Sequence, residues 1–129
     1  MFFKGQTFSQ SFLVSEPVYR KFIETFCDNN ILHVNDEYAR MKGFSAKVMH
    51  GNILNGFISY FVGECLPVKE VILQTQSIKY YNPVYMNDKL NFNAEVIDVF
   101  DSVRSVELRY SFSCEGKKIA KGVLLIGLL

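Results

Sequence analysis

The spacing of apolar residues predicts helices in the first half of the chain and strands in the second. From about Glu16 to Cys27, apolar residues recur every three or four positions, as on one face of an amphipathic helix. Ser15 precedes this stretch and Pro17 lies in its first turn, and both residue types are favoured at a helix N-terminus. We therefore predict a helix over 16–27, and a first strand over 6–14, where the alternation is looser.

A second helical stretch, from Gly51 to Cys65, is almost entirely apolar. Its apolar residues keep the i, i+3, i+4, i+7 pattern of a helix, and Leu66-Pro67 ends it. Because few of its positions are polar, it has no wide face suited to solvent. We expect it to be the most buried helix.

The segment between these helices is rich in turn-forming residues. The break at 28–32 contains three consecutive Asx residues, whose side chains bond to local backbone in place of helical pairing. Asn35-Asp36 can cap a short helix that Gly43 ends, and 43–49 is predicted to be a loop.

Every stretch after Pro67 is strand-like. Residues 103–114 give the clearest pattern, because apolar and polar residues alternate there as on a half-buried antiparallel strand. Further strands are predicted over 71–81, 90–99 and 118–128. One strand, then helices, then four strands predicts an α+β fold, in which an antiparallel sheet wraps around a long central apolar α-helix. We expect so apolar a sheet to pair with a second copy, as a homodimer or a dimer of dimers.

Length and charge narrow the classes of function. The 129 residues are expected to form one domain, 1–129. With 14 Lys and Arg against 13 Asp and Glu, the formal charge of +1 provides no field that would gather nucleic acid or an anionic membrane. Apolar residues make up 49% of the chain and 12 residues are Phe, which fits either a Phe-rich core or apolar surface kept for a ligand or partner subunit.

Cysteine usage and the chain ends predict the compartment. The three cysteines lie at scattered spacings, and we interpret them as buried thiols in a reducing environment. The N-terminus lacks the pattern of a secretory signal, and the longest apolar run, near the C-terminus, is far too short to cross a bilayer. A soluble cytoplasmic protein is expected.

The candidate chemistry lies in one short region, which contains both histidines. Asp28 and His33 are five residues apart, and His50-Gly51 opens the apolar helix. Neither a Gly-rich phosphate loop nor a recognisable zinc site is present, so we expect no metal. No GxSxG motif of a serine hydrolase occurs either. What remains is an Asp/His pair near the buried end of a helix.

The segment Asp28–His33 resembles the D-x-N-P-x-H element of the MaoC-like (R)-specific enoyl-CoA hydratases. His50-Gly51 follows at the family's kind of distance, and Ser59 falls where that family has a serine on its central helix. Residues 76–84 are similar to the family's second strand with its x-P-V turn, and Asn87-Asp88-Lys89-Leu90 resembles the following G-D-x-L. The resemblance spans nearly the whole chain and implies a hot-dog fold.

The resemblance also implies the reaction. It is the reversible syn addition of water to a trans-2-enoyl thioester, giving an (R)-3-hydroxyacyl thioester of fatty acid metabolism. Coenzyme A or phosphopantetheine enters only as part of the substrate, and no separate cofactor is implied. Asp28 and His33 would hold and activate the water and transfer protons, in an order that the sequence leaves open. Asn30 would orient one of them.

The other implied site residues lie on the apolar helix. The backbone N–H of Gly51 would bind the enolate oxygen, because helix N-termini carry unpaired donors and a positive dipole. His50 would lie beside it, and Ser59 would help to position the site. Structural explanations exist as well: Asp28 and Asn30 as turn residues, His50 as a packed residue bonded to backbone, and Ser59 as a small packing residue.

One residue departs from the motif. Ile31 replaces the proline, which leaves more freedom between Asp28 and His33 and implies altered specificity or lost activity. Because the three polar positions of the motif are intact, we favour activity.

Two other functions are compatible with the sequence. Residues 33–38 also resemble the H-V-N-N-x-x-Y run of hot-dog thioesterases, although Asp28 five residues before the histidine favours the hydratase. A catalytically silent hot-dog module, which binds an acyl carrier or serves as a dimerising subunit, is the third possibility, and Ile31 is its best support. Lys47 and Lys79 could meet phosphates of coenzyme A or of a carrier-protein arm, although exposed lysines are common.

Overall fold

In a computed structural model that describes residues 1–129, a six-stranded antiparallel sheet packs against the apolar helix that follows Gly51. The strands are β1 (Thr7–Leu13), β2 (Val71–Gln76), β3 (Lys79–Tyr80), β4 (Lys89–Phe100), β5 (Ser105–Cys114) and β6 (Lys117–Leu128). They are ordered β1-β4-β5-β6-β2, and β3 also pairs with β6. The α-helices are α1 (Glu16–Phe26), α2 (Ile31–Val34), α3 (Asp36–Met41) and α4 (Asn52–Tyr60). The predicted α+β arrangement is confirmed.

Helix α1 begins and ends as its sequence predicts. The Ser15 hydroxyl accepts a hydrogen bond from the backbone N–H of Val18 at 3.3 Å, and Pro17 lies in the first turn. The helix stops at Cys27, which adopts a left-handed conformation with φ 58° and donates its N–H to the carbonyl of Ile23. Asp28 follows this cap directly.

Helix α4 is the most buried helix, as expected. It buries Ile53, Leu54 and Ile58, whereas no other α-helix buries more than one residue. The helix predicted over 51–65 is α-helical only as far as Tyr60. Phe61–Cys65 continue it as a π-helix. Its opposite face is open, so Ser59, expected on a buried helix, is exposed.

Aromatic side chains fill the space between the sheet and α4. The Phe92 ring lies 4.7 Å from Phe61, 5.0 Å from Phe112 and 6.0 Å from Phe12, centroid to centroid. All four rings are buried, and each such side chain contributes about 1.5–3 kcal/mol to folding. These phenylalanines therefore form part of the hydrophobic core, as the first of the two interpretations of the Phe-rich composition expects.

The strand predicted over 71–81 is two strands, β2 and β3, which pair with β6 in the same register on either side of Ser77-Ile78. The Ser77 carbonyl accepts a hydrogen bond from the Tyr110 hydroxyl at 2.7 Å. It also crosses β6 at Gly122, where an added Cβ would lie 1.9 Å from the Ser77 oxygen. Only glycine permits this approach.

The expectation of buried thiols is wrong for Cys27, which is exposed as the surface cap of α1. Cys65 and Cys114 are partly buried, and burial raises the pKa of both thiols. All three cysteines are free. Separately, no helix reaches the length and hydrophobicity that crossing a membrane requires.

Candidate functional site

Asp28 follows α1 in a tight Asx turn. Its Oδ1 accepts the backbone N–H of Asn30 at 3.1 Å, which leaves Oδ2 without a backbone donor on a side chain that is 49% exposed. Asn30 donates its backbone N–H to Asp28, and its side-chain Oδ1 accepts the N–H of Leu32 at 3.0 Å and so caps α2. The expectation that Asn30 orients Asp28 or His33 stays a prediction.

His33 lies on α2, a helix that the sequence analysis missed. Its Nδ1 is 2.7 Å from the carbonyl oxygen of Val48, and its own carbonyl accepts the Tyr19 hydroxyl at 2.6 Å. A carbonyl oxygen can only accept, so Nδ1 carries the hydrogen and the neutral ring presents its lone pair on Nε2. The local backbone thus sets the tautomer of His33.

His50 contacts both Asp28 and His33. Its ring is 2% exposed, and Nε2 donates to the backbone carbonyl of Asp28 at 2.8 Å while lying 4.0 Å from the Asp28 Oδ2. The ring centroid lies 4.1 Å from that of His33 and 4.7 Å from that of Phe22. Its Nδ1 is buried and has no hydrogen-bond partner. His50 therefore fixes the Asp28 turn against the His33 ring.

Gly51 immediately precedes α4 and has no side chain to cap it. The backbone hydrogen bonds outside the helices and strands include none donated by Gly51, so its N–H is available to a ligand. A Cβ at Gly51 would lie 2.9 Å from the Cε1 and Cζ atoms of Tyr80 and 3.1 Å from its hydroxyl oxygen. Burial raises the pKa of the Tyr80 phenol, an effect that a hydrogen bond with Asn55 opposes.

Tyr80 is a site residue that the sequence analysis missed. Its sequence context predicts only a strand, and no local pattern connects it with Gly51, 29 positions earlier. The nearest signal was the glycine itself, whose missing side chain leaves room for a close neighbour.

Two grooves flank the Asp28, His33 and His50 cluster. The large groove, of about 750 Å³, runs between α1 and α4, contains Asp28 and is lined by apolar side chains such as Phe22, Phe26 and Phe57. The small groove, of about 500 Å³, contains His33, Gly51, Tyr80 and Tyr81. Asn52 lines both grooves, whereas Ser59 lines neither.

The cluster also has the composition of a metal site. Asp28, His33 and His50 each offer one ligand atom, and these atoms lie within 4.8 Å of one another. His33 Nδ1 and His50 Nε2 already bond to carbonyl oxygens, so an ion would have to use the remaining ring nitrogens or displace these bonds. The expected absence of a metal stays a prediction.

Comparisons with known proteins agree with the resemblance seen in the sequence. A protein-family model described as a MaoC like domain matches residues 8–115. The (R)-specific enoyl-CoA hydratase of Rhodospirillum rubrum is 30% identical over 119 residues, covering 92% of this chain and 83% of that protein. The (R)-hydratase of Aeromonas caviae involved in PHA biosynthesis matches with a TM-score of 0.90 over 99% of this chain and 98% of its own, at 23% identity. A structure from Archaeoglobus fulgidus matches with a TM-score of 0.91 over 100% of this chain and 80% of its own, also at 23% identity.

Proposed function

Since the chain belongs to the MaoC-like domain family and has the hot-dog fold, we propose that it is an (R)-specific enoyl thioester hydratase, with 1–129 as its domain. The reaction is the reversible addition of water to a trans-2-enoyl thioester, giving an (R)-3-hydroxyacyl thioester. The observation that carries the proposal is the convergence of Asp28, His33 and His50 within 4.8 Å, beside Gly51 at the start of α4.

Asp28 and His33 hold the water. One water can donate a hydrogen bond to each of two acceptors that lie within 4.8 Å of one another, since each bond spans about 2.8 Å. The free Oδ2 of Asp28 and the Nε2 of His33 are the atoms without backbone partners. One of the two residues takes a proton from the water as its oxygen attacks the β-carbon. That same proton is delivered to the α-carbon, directly or through the other residue, so that H and OH add across the double bond and both residues return to their starting state. Each transfer contributes about 10²–10⁴-fold to the rate.

The thioester oxygen becomes negatively charged as the β-carbon is attacked, and the Gly51 N–H stabilises it. That N–H has no acceptor in the surrounding loop, and the helix dipole of α4 adds positive potential at the same end. Tyr80, packed against Gly51, restricts the thioester to the approach that glycine leaves open. The small groove therefore receives the thioester.

The apolar lining of the large groove suits the acyl chain. Phe22, Phe26 and Phe57 line it, and Asp28 lies within it. An acyl chain in this groove has its reactive end next to the carboxylate. Ser59 is exposed on the same helix, and we assign it no contact with substrate.

The test is to incubate purified protein with crotonyl-CoA and to follow the enoyl absorbance and free thiol together. A hydratase lowers the enoyl absorbance without releasing thiol. Thiol release without hydration would establish the thioesterase alternative, and a lack of any turnover across enoyl thioesters of graded chain length would favour the silent binding module.

Assembly as a homodimer is part of the proposal. Strand β2 ends the sheet and pairs only with β6, so its outer edge can accept a strand from a second copy. Its Ile72 side chain is 52% exposed. Light scattering on the purified protein would distinguish a dimer from a monomer. The cytoplasmic location stays a prediction.

A further inference from the structure

The Tyr80 hydroxyl lies beside Gly51 in the small groove. Its oxygen is 3.1 Å from the position that a Cβ on Gly51 would occupy. Because a Cβ lies about 2.5 Å from the nitrogen of its own residue, the hydroxyl oxygen and the Gly51 nitrogen are at most about 5.6 Å apart. Two hydrogen bonds of about 2.8 Å each span that distance. The separation therefore allows a single oxygen to accept from both groups.

The hydrogen of the Tyr80 hydroxyl is not used within the protein. The buried Tyr19 and Tyr110 donate their hydroxyls to backbone carbonyl oxygens at 2.6 and 2.7 Å, whereas Tyr80 donates no hydrogen bond to the rest of the chain. Burial raises the pKa of the Tyr80 phenol, so the hydroxyl keeps its hydrogen at neutral pH. It is therefore free to donate to a ligand in the groove.

Asn55 on α4 holds the oxygen of this hydroxyl. The Asn55 Oδ1 accepts a hydrogen bond from the Gln76 side chain, and its Nδ2 donates to the Asn52 Oδ1 at 2.7 Å. An amide nitrogen carries two hydrogens, so the second can bind the Tyr80 oxygen. This direction agrees with the effect of Asn55 on the phenol pKa, which it lowers. The hydroxyl hydrogen is left for another acceptor.

We propose that the Tyr80 hydroxyl is a further catalytic group, which donates a hydrogen bond to the thioester oxygen together with the Gly51 N–H. The inference rests on the hydratase function proposed above and deepens it. As the water oxygen attacks the β-carbon, negative charge develops on the thioester oxygen, and two donors stabilise it more than one. The hydroxyl gives up no proton in this step, since the proton of the water goes to the α-carbon.

Tyr80→Phe removes the hydroxyl and keeps the ring that packs against Gly51. We expect kcat with crotonyl-CoA to fall about tenfold with KM maintained, because the bond strengthens as charge develops in the transition state. Loss of one donor costs about 10²–10³-fold in a site closed to water. The smaller effect follows because Tyr80 is 46% exposed and solvent weakens the bond.

Two kinetic outcomes would overturn the proposal. A parental kcat in Tyr80→Phe would leave the ring only a role in shaping the groove. A raised KM with a parental kcat would show that the hydroxyl binds substrate and transition state equally, so that it does not act on the chemical step.

Tyr60→Phe is the matched control, because it removes a phenol hydroxyl from α4 at a position that lines neither groove. Tyr60 is 53% exposed, which is close to the exposure of Tyr80. The control variant should have the parental kcat and KM. An equal loss of kcat in both variants would contradict a specific role for Tyr80.

A spectroscopic measurement tests the hydrogen bond without turnover. The absorbance of 4-(dimethylamino)cinnamoyl-CoA moves to longer wavelength when donors polarise its thioester carbonyl. Bound to the parent protein it should show such a red shift, which should be smaller in Tyr80→Phe and unchanged in Tyr60→Phe. No red shift in the parent, or an equal one in Tyr80→Phe, would overturn the proposal. If no enoyl thioester is turned over but the Tyr80-dependent shift is found, the hydratase proposal fails and the hydrogen bond from Tyr80 stands.

Discussion

Gly51 and Tyr80 are packed so closely that the first has no room for a side chain. A methyl group on Gly51 would lie 2.9 Å from two carbon atoms of the Tyr80 ring, well inside van der Waals contact. Either the ring or the start of α4 must then shift. Because the Gly51 N–H is the proposed donor to the thioester oxygen, a shift at this point bears directly on the rate.

Gly51→Ala is therefore expected to lower kcat/KM by about 10²-fold, the cost of displacing a catalytic group by about 1 Å. Overpacking should also lower the free energy of unfolding by about 1–3 kcal/mol. Steady-state kinetics with crotonyl-CoA and urea unfolding measure the two effects.

The second-site test uses two substitutions of Tyr80 in the Gly51→Ala background. Tyr80→Ala removes the clashing ring and should recover stability and part of the rate. Tyr80→Phe keeps both carbon atoms at 2.9 Å and should recover neither. Recovery by the phenylalanine variant would show that the hydroxyl, and not the ring, opposes the methyl group.

Asp28→Asn is expected to lower kcat by about 10²–10⁴-fold, because it removes a proton-transfer group and little else. The asparagine Oδ1 can still accept the Asn30 N–H, so the turn and the melting temperature should be preserved. Asp101→Asn, in the 3₁₀ turn after β4, is the control and should have parental activity. A parental rate in Asp28→Asn would mean that the site is wrongly assigned.

Ile31→Pro should restore the family motif and stabilise the protein by about 0.4–1 kcal/mol. Ile31 is the first residue of α2, where an N–H has no intrahelical partner, and Asn30 before it has φ −54° and ψ 137°, which proline accepts. Activity should be kept, with a higher melting temperature.

Leu32→Pro is the matched comparison for that prediction. The Leu32 N–H donates to the Asn30 Oδ1 at 3.0 Å, so proline there removes the cap of α2 and should cost about 1 kcal/mol or more. If Ile31→Pro is as damaging as Leu32→Pro, the α2 N-terminus does not tolerate proline as described.

Cys27 should react first with iodoacetamide. It is exposed, whereas Cys65 and Cys114 are partly buried and have thiol pKa values raised by burial, so fewer of their thiols are ionised at neutral pH. The slow modification should therefore accelerate as the pH rises towards the raised pKa values. Mass spectrometry of tryptic peptides gives the order, and Cys27→Ser should abolish the fast phase.

Chelation should leave hydration unaffected, since the proposed proton transfers use only Asp28 and His33. Added Zn²⁺ should inhibit, because it can bind the Asp28, His33 and His50 cluster in place of the water. Assay after dialysis against EDTA tests the first expectation, and titration of Zn²⁺ into the assay tests the second. Loss of activity on dialysis and its return with a divalent ion would replace this mechanism with a metal-assisted one.

Local pattern was enough to predict part of the molecule. Residues 103–114 alternate and form β5, and Ser15 and Pro17 mark the start of α1, because strand burial and helix capping depend on near neighbours. Helix α2 was missed because four residues are too few to display a period. The pair of Asp28 and His33 could be identified from their spacing and the family resemblance.

The contacts that complete the site could not be predicted in this way. Tyr80 packs against Gly51, 29 positions away, and the Ser77 carbonyl packs against Gly122, 45 positions away. His50 donates to the Asp28 carbonyl, and a backbone acceptor has no signature in the residue type. Long-range packing determines the position of Tyr80, and a backbone acceptor determines the orientation of the His50 ring.

Both imidazoles of the cluster are oriented by main-chain oxygens, those of Val48 and Asp28. Every amino acid supplies such an oxygen, so substitution of a nearby side chain does not by itself change which ring nitrogen carries the hydrogen. The apolar side chains that line the large groove, such as Phe22, Phe26 and Phe57, can therefore change without altering the tautomers of His33 and His50.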